Sequence, residues 1–432
     1  MIAKLKHHIQ PIIALGIRGG SILAGFFVTF YIGRTLGPEA NGIYGLVTQT
    51  GVFLSVISVG GLDIAAVREL SRSIAEKRGI ERSTYFKIVG WTVAIALAIA
   101  AVLLLGGHRV THWLMKSEQS FAITVLLSLI FLGRALTRIM SAFLRSQKSF
   151  IFGQSVEVLI IPGVVSIALL LGFMTSVREI LAFTAFVGLV TGIGAVIVGL
   201  RYTVTDGTGL QLSFRSLFKI ALPLWSVAIA LNIADWYSLF TVASVLGVYD
   251  AGLYRVAYQV ASVLSIITLA LYSVFTVRIS AARAAGDIHE VARLGRTSTR
   301  LSIAFATPLL IVIFVFAPQI LGLIGEDFVG GVAALRIMAI TQAIYVATGP
   351  NGLTLAMCGL ERINLVITVS SLAFLLVVAP MAARWGGLVG ISAFVGIAMA
   401  SRNIAAFFAL RHFTGINVIT GSVETPKRAF AL

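Results

Sequence analysis

The stretch Leu36-Gly37-Pro38-Glu39-Ala40-Asn41-Gly42-Ile43-Tyr44 recurs 210 positions later as Leu246-Gly247-Val248-Tyr249-Asp250-Ala251-Gly252-Leu253-Tyr254. The same offset matches Gln49 to Gln259, Val67-Arg68 to Val277-Arg278, and Leu200-Arg201 to Leu410-Arg411. One offset that holds across so long a block marks an internal duplication. Most of the chain between these landmarks is apolar, so each half is a set of helices that need burial.

Composition says what buries them. Of the 432 residues, 58% are hydrophobic and only 12% charged, against about 25% charged in a soluble domain. The mean hydropathy is +0.99. Burial in a soluble fold is limited by surface-to-volume scaling, so lipid has to serve as part of the solvent. A soluble enzyme, a secreted disulfide scaffold and a disordered tail are excluded. The single cysteine, Cys358, makes no internal disulfide and reads as a small packing residue.

A membrane helix needs about 20 mostly apolar residues. Reading for such runs gives twelve. Six lie near 9–33, 42–66, 88–107, 119–140, 155–174 and 179–200, and six near 219–245, 252–277, 301–324, 330–357, 364–383 and 386–410. The first is too long for a cleavable signal and is interrupted by Arg18, so it reads as an uncleaved span. Six spans separate the repeats, so both halves share one orientation. The expected division is an N-terminal lobe over 1–205, a cytoplasmic linker over 206–218 containing Asp206-Gly207-Thr208-Gly209, and a C-terminal lobe over 219–432. Gly16 and Gly20, and Gly188 and Gly192, have the small-xxx-small spacing of close helix contacts. The mixed-charge stretches Arg68–Arg82 and Arg278–Arg300 read as short interfacial helices.

The net charge of +16 would suit nucleic acid only if its cations formed one face. They do not. Of the 33 Lys and Arg, 22 fall on the side of the termini and even-numbered loops, and 5 on the other. This is the positive-inside pattern and places both termini in the cytoplasm. The remaining six, Arg18, Arg134, Arg138, Arg255, Arg336 and Arg402, fall inside spans. At mid-membrane each costs roughly 2.5–3.5 kcal/mol if unpartnered. Arg255, Arg336 and Arg138 lie near span ends, where snorkelling relieves some of the cost; Arg18, Arg134 and Arg402 lie deeper. Only Asp63, Glu157 and Asp235 accompany them, so simple pairing cannot neutralise the set. Two readings stand: interhelical salt bridges with snorkelling, or a cationic cavity for an anionic substrate, phosphate suiting the guanidinium fork best. Arg134 and Arg138 share one helix face by their spacing. Asp235 sits mid-span with Asn232 on the same face; it is either a proton or cation site or a structural pair. His108 and His112 lack a third ligand, so no metal is expected. No Gly-rich phosphate loop, nucleophile–base set or cofactor motif is present.

Arg34-x-Leu36-Gly37-Pro38-Glu39-x-x-Gly42-x-Tyr44, followed by Gly61 and Arg68-Glu69, resembles the oligosaccharide and polysaccharide flippases of the multidrug/oligosaccharidyl-lipid/polysaccharide exporter superfamily. The second half adds Ala221-Leu222-Pro223-Leu224, Asp235, Gly247 and Gly252-Leu253-Tyr254. The resemblance implies an all-α integral membrane protein of twelve helices in two six-helix lobes, forming a V-shaped exporter. It further implies alternating access in the bacterial inner membrane. The implied substrate is a polyprenyl-diphosphate-linked oligosaccharide for O-antigen, exopolysaccharide or capsule export. A monomer is implied, working beside a polysaccharide polymerase and other export components, with no enzymatic step and no nucleic acid. On this reading Arg18 binds diphosphate, Arg134, Arg138 and Arg402 add positive potential, and Asp235 with Asn232 carries ion coupling. Relatives often have a basic residue after that aspartate, where this chain has Trp236. A drug/cation antiporter of the same superfamily is the alternative, disfavoured by an interior with twice as many arginines as acids. A membrane-embedded polymerase is further disfavoured because the longest external loop is only 108–118.

Overall fold

A computed structural model describes residues 2–75, 80–115, 121–147, 149–205 and 214–424. The helices run in order as α1 (Ile2–Val59), α2 (Leu62–Ala75), α3 (Arg82–Gly106), α4 (His108–Met115), α5 (Phe121–Ser146), α6 (Phe150–Gln154), α7 (Ile160–Leu170), α8 (Val177–Leu200) and α9 (Phe214–Val245). They continue as α10 (Val248–Ala284), α11 (Ile288–Val315), α12 (Ala317–Ile324), α13 (Val332–Thr348), α14 (Asn351–Met357) and α15 (Glu361–Thr414). Two two-residue strands, β1 (Ile80–Glu81) and β2 (Thr203–Val204), pair in parallel. The molecule is an all-α, multi-pass membrane protein.

Nine helical stretches among the described residues are long and apolar enough to cross a membrane. Two of them, in α1 and α15, are broken by glycines at positive φ, Gly37 at 81° and Gly387 at 56°, and so comprise two spans each. With the 37-residue α10 this gives the twelve segments that hydropathy leads one to expect. The second span is shorter than expected: it stops at Val59, and Asp63 lies in the first turn of the separate helix α2. The Arg278–Arg300 stretch is not an interfacial helix. It is the end of α10 and the start of α11, joined at Gly286 and Asp287, whose carboxylate caps the Glu290 amide at 2.9 Å.

The chain forms two compact units, Met1–Trp236 with Gly247–Gly252, and Tyr237–Leu246 with Leu253–Leu432. In the first, Val59, Leu62, Leu70, Tyr85, Ile139, Met140 and Phe143 form a buried cluster where α1, α2, α3 and α5 meet. The Tyr85 hydroxyl donates to the Val196 carbonyl at 2.6 Å, tying α3 to α8. α8 starts on a capping box between Ser176 and Glu179. It lies so close to α5 that a Cβ at Gly133 would sit 2.7 Å from the Gly188 carbonyl carbon. Gly188 and Gly192 therefore serve the close contact their spacing predicts. In the second unit, Phe275, Val291, Leu294, Leu355, Leu410 and Val418 build a corresponding cluster. Cys358 is buried in it, and that burial pushes its thiol above the ordinary cysteine range, with Arg283 pulling the other way.

The repeat is legible in the backbone. Gly37 and Gly247, equivalent at the 210-residue offset, both take positive φ, at 81° and 106°, a region that costs a side chain dearly. After each, a glycine meets the partner repeat's backbone inside the first unit. A Cβ at Gly42 would overlap the Val248 carbonyl, and one at Gly252 the Pro38 carbonyl. Pro38 and Val248 are themselves equivalent, so the two contacts are symmetry mates. Gly42→Val is expected to lose stability at or above the ~1–3 kcal/mol usual for overpacking, because the obstacle is backbone. Gly16→Ala, with nothing within 4 Å, is expected to be tolerated. Thermal denaturation of the detergent-purified variants, read by size-exclusion profile, checks both.

Candidate functional site

The site is built on α5. Arg134, Arg138, Ser141 and Arg145 are spaced four, three and four residues apart, which puts them on one helical face over about 16 Å of axis. The alternating neighbours Ala135, Ile139, Met140 and Phe143 are buried in apolar contacts, so the polar stripe is fixed by packing on its flanks.

Two of the three guanidinium groups are matched. Arg138 Nε donates to Asp63 Oδ2 at 2.8 Å, with both side chains mostly enclosed. Asp63 also accepts the Ile64 amide at 3.0 Å through its other oxygen. Arg145 Nη1 lies 3.2 Å from Glu157 Oε2, and the Ser141 hydroxyl donates to that same oxygen at 2.9 Å. Arg134 has no such match. Among the described residues its Nε is buried without a hydrogen-bond partner, as is Arg145 Nε, but no carboxylate pairs with Arg134, and Glu157 and Tyr44 act on it through space. Three arginines against two carboxylates leave one positive charge, and the geometry assigns it to Arg134. An unmade bond at a buried donor costs about 1–3 kcal/mol, more when charged.

Glu157 reaches this stripe from an irregular turn. Between α6 and α7, Ser155–Leu159 forms a π turn in which the Ile160 amide donates to the Ser155 carbonyl. Pro162 explains it. A proline has no amide to donate and its ring crowds the carbonyl four residues back, at Val158. Widening the preceding turn relieves both problems. π turns are frequent at functional positions.

Of the residues that sequence reasoning nominates, Arg134 and Arg138 come together on this face. Arg18 lies exposed on α1 in the same unit, with its carbonyl accepting from Ser21 at 2.9 Å. Arg402 belongs to the second unit, on α15, and acts electrostatically on Tyr345. Asp235 is exposed on α9. Asn232, one turn earlier, donates its amide to the Ala228 carbonyl at 2.8 Å. Beside them Trp236 stacks on Phe53 at 4.7 Å and donates Nε1 to Thr50 Oγ1 at 3.0 Å. The pairing of Arg145 with Glu157, and the place of Ser141, escape a reading by hydropathy, which assigns Arg145 to a cytoplasmic loop. The spacing 134–138–141–145 and Pro162 were the signals that could reveal them.

Residues 12–277 match the sequence profile described as polysaccharide biosynthesis protein. The chain belongs to this family. Among curated proteins no sequence match is found. Three solved structures show the fold it shares. An inward-facing multidrug resistance transporter of the MATE family, in the MOP superfamily, is 14% identical over 93% of this chain and 97% of its own, with TM-score 0.72. The lipid II flippase MurJ in an inward closed conformation is 12% identical over 93% of this chain and 87% of its own, with TM-score 0.77. A MOP superfamily transporter from Pyrococcus furiosus is 13% identical over 92% and 97%, with TM-score 0.55. This member of the polysaccharide biosynthesis family thus has the fold of MOP transporters over nearly its whole length.

If Asp63 serves to match Arg138, removing one partner should cost more than removing both. Asp63→Asn is expected to lower stability by about 3 kcal/mol, and adding Arg138→Gln to recover most of that. A double-mutant cycle from thermal denaturation in detergent measures the coupling.

Proposed function

We propose that this protein is a flippase. It carries a polyprenyl-diphosphate-linked oligosaccharide across the bacterial inner membrane by alternating access, for O-antigen, exopolysaccharide or capsule export. The observation that carries this reading is the unmatched Arg134. A guanidinium that meets no carboxylate among the described residues, beside two that do, is a receptor for one anionic group, and the planar fork suits a phosphate oxygen pair. The family description supports a saccharide-bearing substrate, and the MOP fold supports movement across a membrane without a chemical step.

In this account Arg134 takes the diphosphate. Arg138 and Arg145, held by Asp63 and Glu157, shape the face on which it lies. Arg18 and Arg402 add positive potential along the route, and Asp235 with Asn232 carries the coupling ion. The lobes are 1–205 and 219–432, linked by 206–218, with both termini cytoplasmic as the lysine and arginine distribution requires. The protein acts as a monomer and hands its cargo to a polysaccharide polymerase. The MATE fold alone would equally suit a drug/cation antiporter, but an excess cation at the site repels cationic drugs. The Pyrococcus relative, described as having a binding pocket of reversed polarity, illustrates that pocket charge varies on this fold.

Transbilayer movement of a fluorescent polyprenyl-diphosphate oligosaccharide in reconstituted vesicles is the test. Arg134→Gln is expected to slow movement by about 10- to 100-fold, the worth of a charged hydrogen bond of roughly 1.5–3 kcal/mol. Arg18→Ala is expected to slow it as well, and Asp235→Asn to remove its dependence on an ion gradient. Full activity in folded Arg134→Gln, or ion-driven uptake of a cationic dye by the wild type with no glycan movement, overturns the proposal.

A further inference from the structure

In the second unit α11 and α13 leave an open groove between them. Ile311, Phe314 and Val315 recur along one face of α11, and Ile340, Ile344 and Ala347 along one face of α13, so two apolar stripes front each other. The space they enclose is about 450 Å³, and its walls are almost wholly apolar. Ile311, Val315 and Ile340 remain 56%, 54% and 49% exposed within the protein, so the groove opens outward along the helices.

One turn before Ile340, and on its face, stands Arg336. Its Nε donates to the Phe314 carbonyl at 3.1 Å, and its guanidinium carbon lies 5.5 Å from the Phe314 ring centroid. That carbonyl is among the last four of α11, which have no helical donor of their own. The bond takes one of the guanidinium's five N–H donors, and with the ring contact it holds the group at the end of the groove. No acidic side chain pairs with it among the described residues, although Glu326 and Asp327 precede it by only ten and nine positions. A cation placed at the head of an apolar slot is complementary to an amphiphile with an anionic head.

The dimensions fit a lipid of one leaflet. From Arg336 to Ala347 is eleven residues, about 16 Å of helix, and half of a hydrocarbon core of about 30 Å is nearly the same. A second outward groove, lined by Val125, Leu126, Arg178 and Glu179, has a carboxylate beside its arginine and offers no net charge. We propose that the α11/α13 groove is a binding site for an anionic glycerophospholipid, whose phosphate is held by Arg336 and one of whose acyl chains lies between the apolar stripes. A zwitterionic headgroup is the poorer ligand because its own ammonium competes for the phosphate. The site is independent of the transport reading, so either can fail without the other.

Native mass spectrometry of the purified full chain, titrated with phosphatidylglycerol or phosphatidylethanolamine, tests this. The wild type is expected to retain one phosphatidylglycerol about tenfold better than phosphatidylethanolamine. Arg336→Gln should remove that preference, and Ala347→Phe, which fills the slot, should lower retention of both lipids. Arg178→Gln, at the other groove, should change nothing. A matching thermal profile shows that each variant is folded, and Arg336→Lys, which keeps the charge, should keep part of the preference. Equal retention by wild type and Arg336→Gln overturns the proposal. So does a wild-type preference for polyprenyl phosphate over phosphatidylglycerol, which would give the groove to a different lipid.

Discussion

A guanidinium placed at membrane depth has to be matched by a carboxylate, by water or by a ligand, because hydrocarbon offers it nothing. That constraint organises the first unit. α5 brings Arg134, Arg138 and Arg145 to one face, and the surrounding elements are shaped to answer them. α1 ends at Val59, and Asp63 in the first turn of α2 meets Arg138. The fifth span widens into a π turn before Pro162, and Glu157 on that turn meets Arg145 and Ser141. Of the three, Arg134 is the one that meets no carboxylate among the described residues. On the proposed function, an imbalance of one charge in so carefully matched a set is where an anionic substrate would gain most, since its binding would remove a cost the folded protein already bears.

Close backbone approach is the second organising element. Gly42 and Gly252 each press against the other repeat's chain, at Val248 and Pro38. The preceding glycines, Gly37 and Gly247, supply the positive φ that turns the chain into that contact. Asn41 donates its amide to the Thr29 carbonyl at 2.9 Å across the Gly37 break, which fixes the angle between the two halves of α1. A duplicated sequence motif therefore becomes a pair of like turns packed on one another. Gly133 with Gly188 does the same for α5 and α8 and seats the neighbouring Arg134.

The fold was largely legible in the residues. Run length and hydropathy are local properties, and they find twelve segments because each helix must satisfy its own backbone in lipid. The repeat was visible because the turn at Gly37 and Gly247 demands the same residue twice. The site was legible only in part. Arg134 and Arg138 stand out as costly charges, but Arg145 reads as one more cytoplasmic cation and Glu157 as a carboxylate near a span end. Their pairing depends on how the fifth span bends around Pro162, a tertiary fact that hydropathy does not contain. The Arg278–Arg300 stretch misleads for the opposite reason: its charges suggest a surface helix, whereas long helices simply extend beyond the apolar layer.

On the proposed function, the uncompensated guanidinium of Arg134, and not the general positive charge of the chain, makes the anion site. Equilibrium binding of a short-chain prenyl diphosphate to the purified protein tests it most directly. The account predicts that Arg134→Gln weakens the Kd by about tenfold or more, while the charge-neutral pair Asp63→Asn with Arg138→Gln, which only alters the face beside it, weakens it far less. Glu157→Gln, which frees a second guanidinium, should tighten it. Equal weakening by Arg134→Gln and by the neutral pair, or no response to either, would contradict the account.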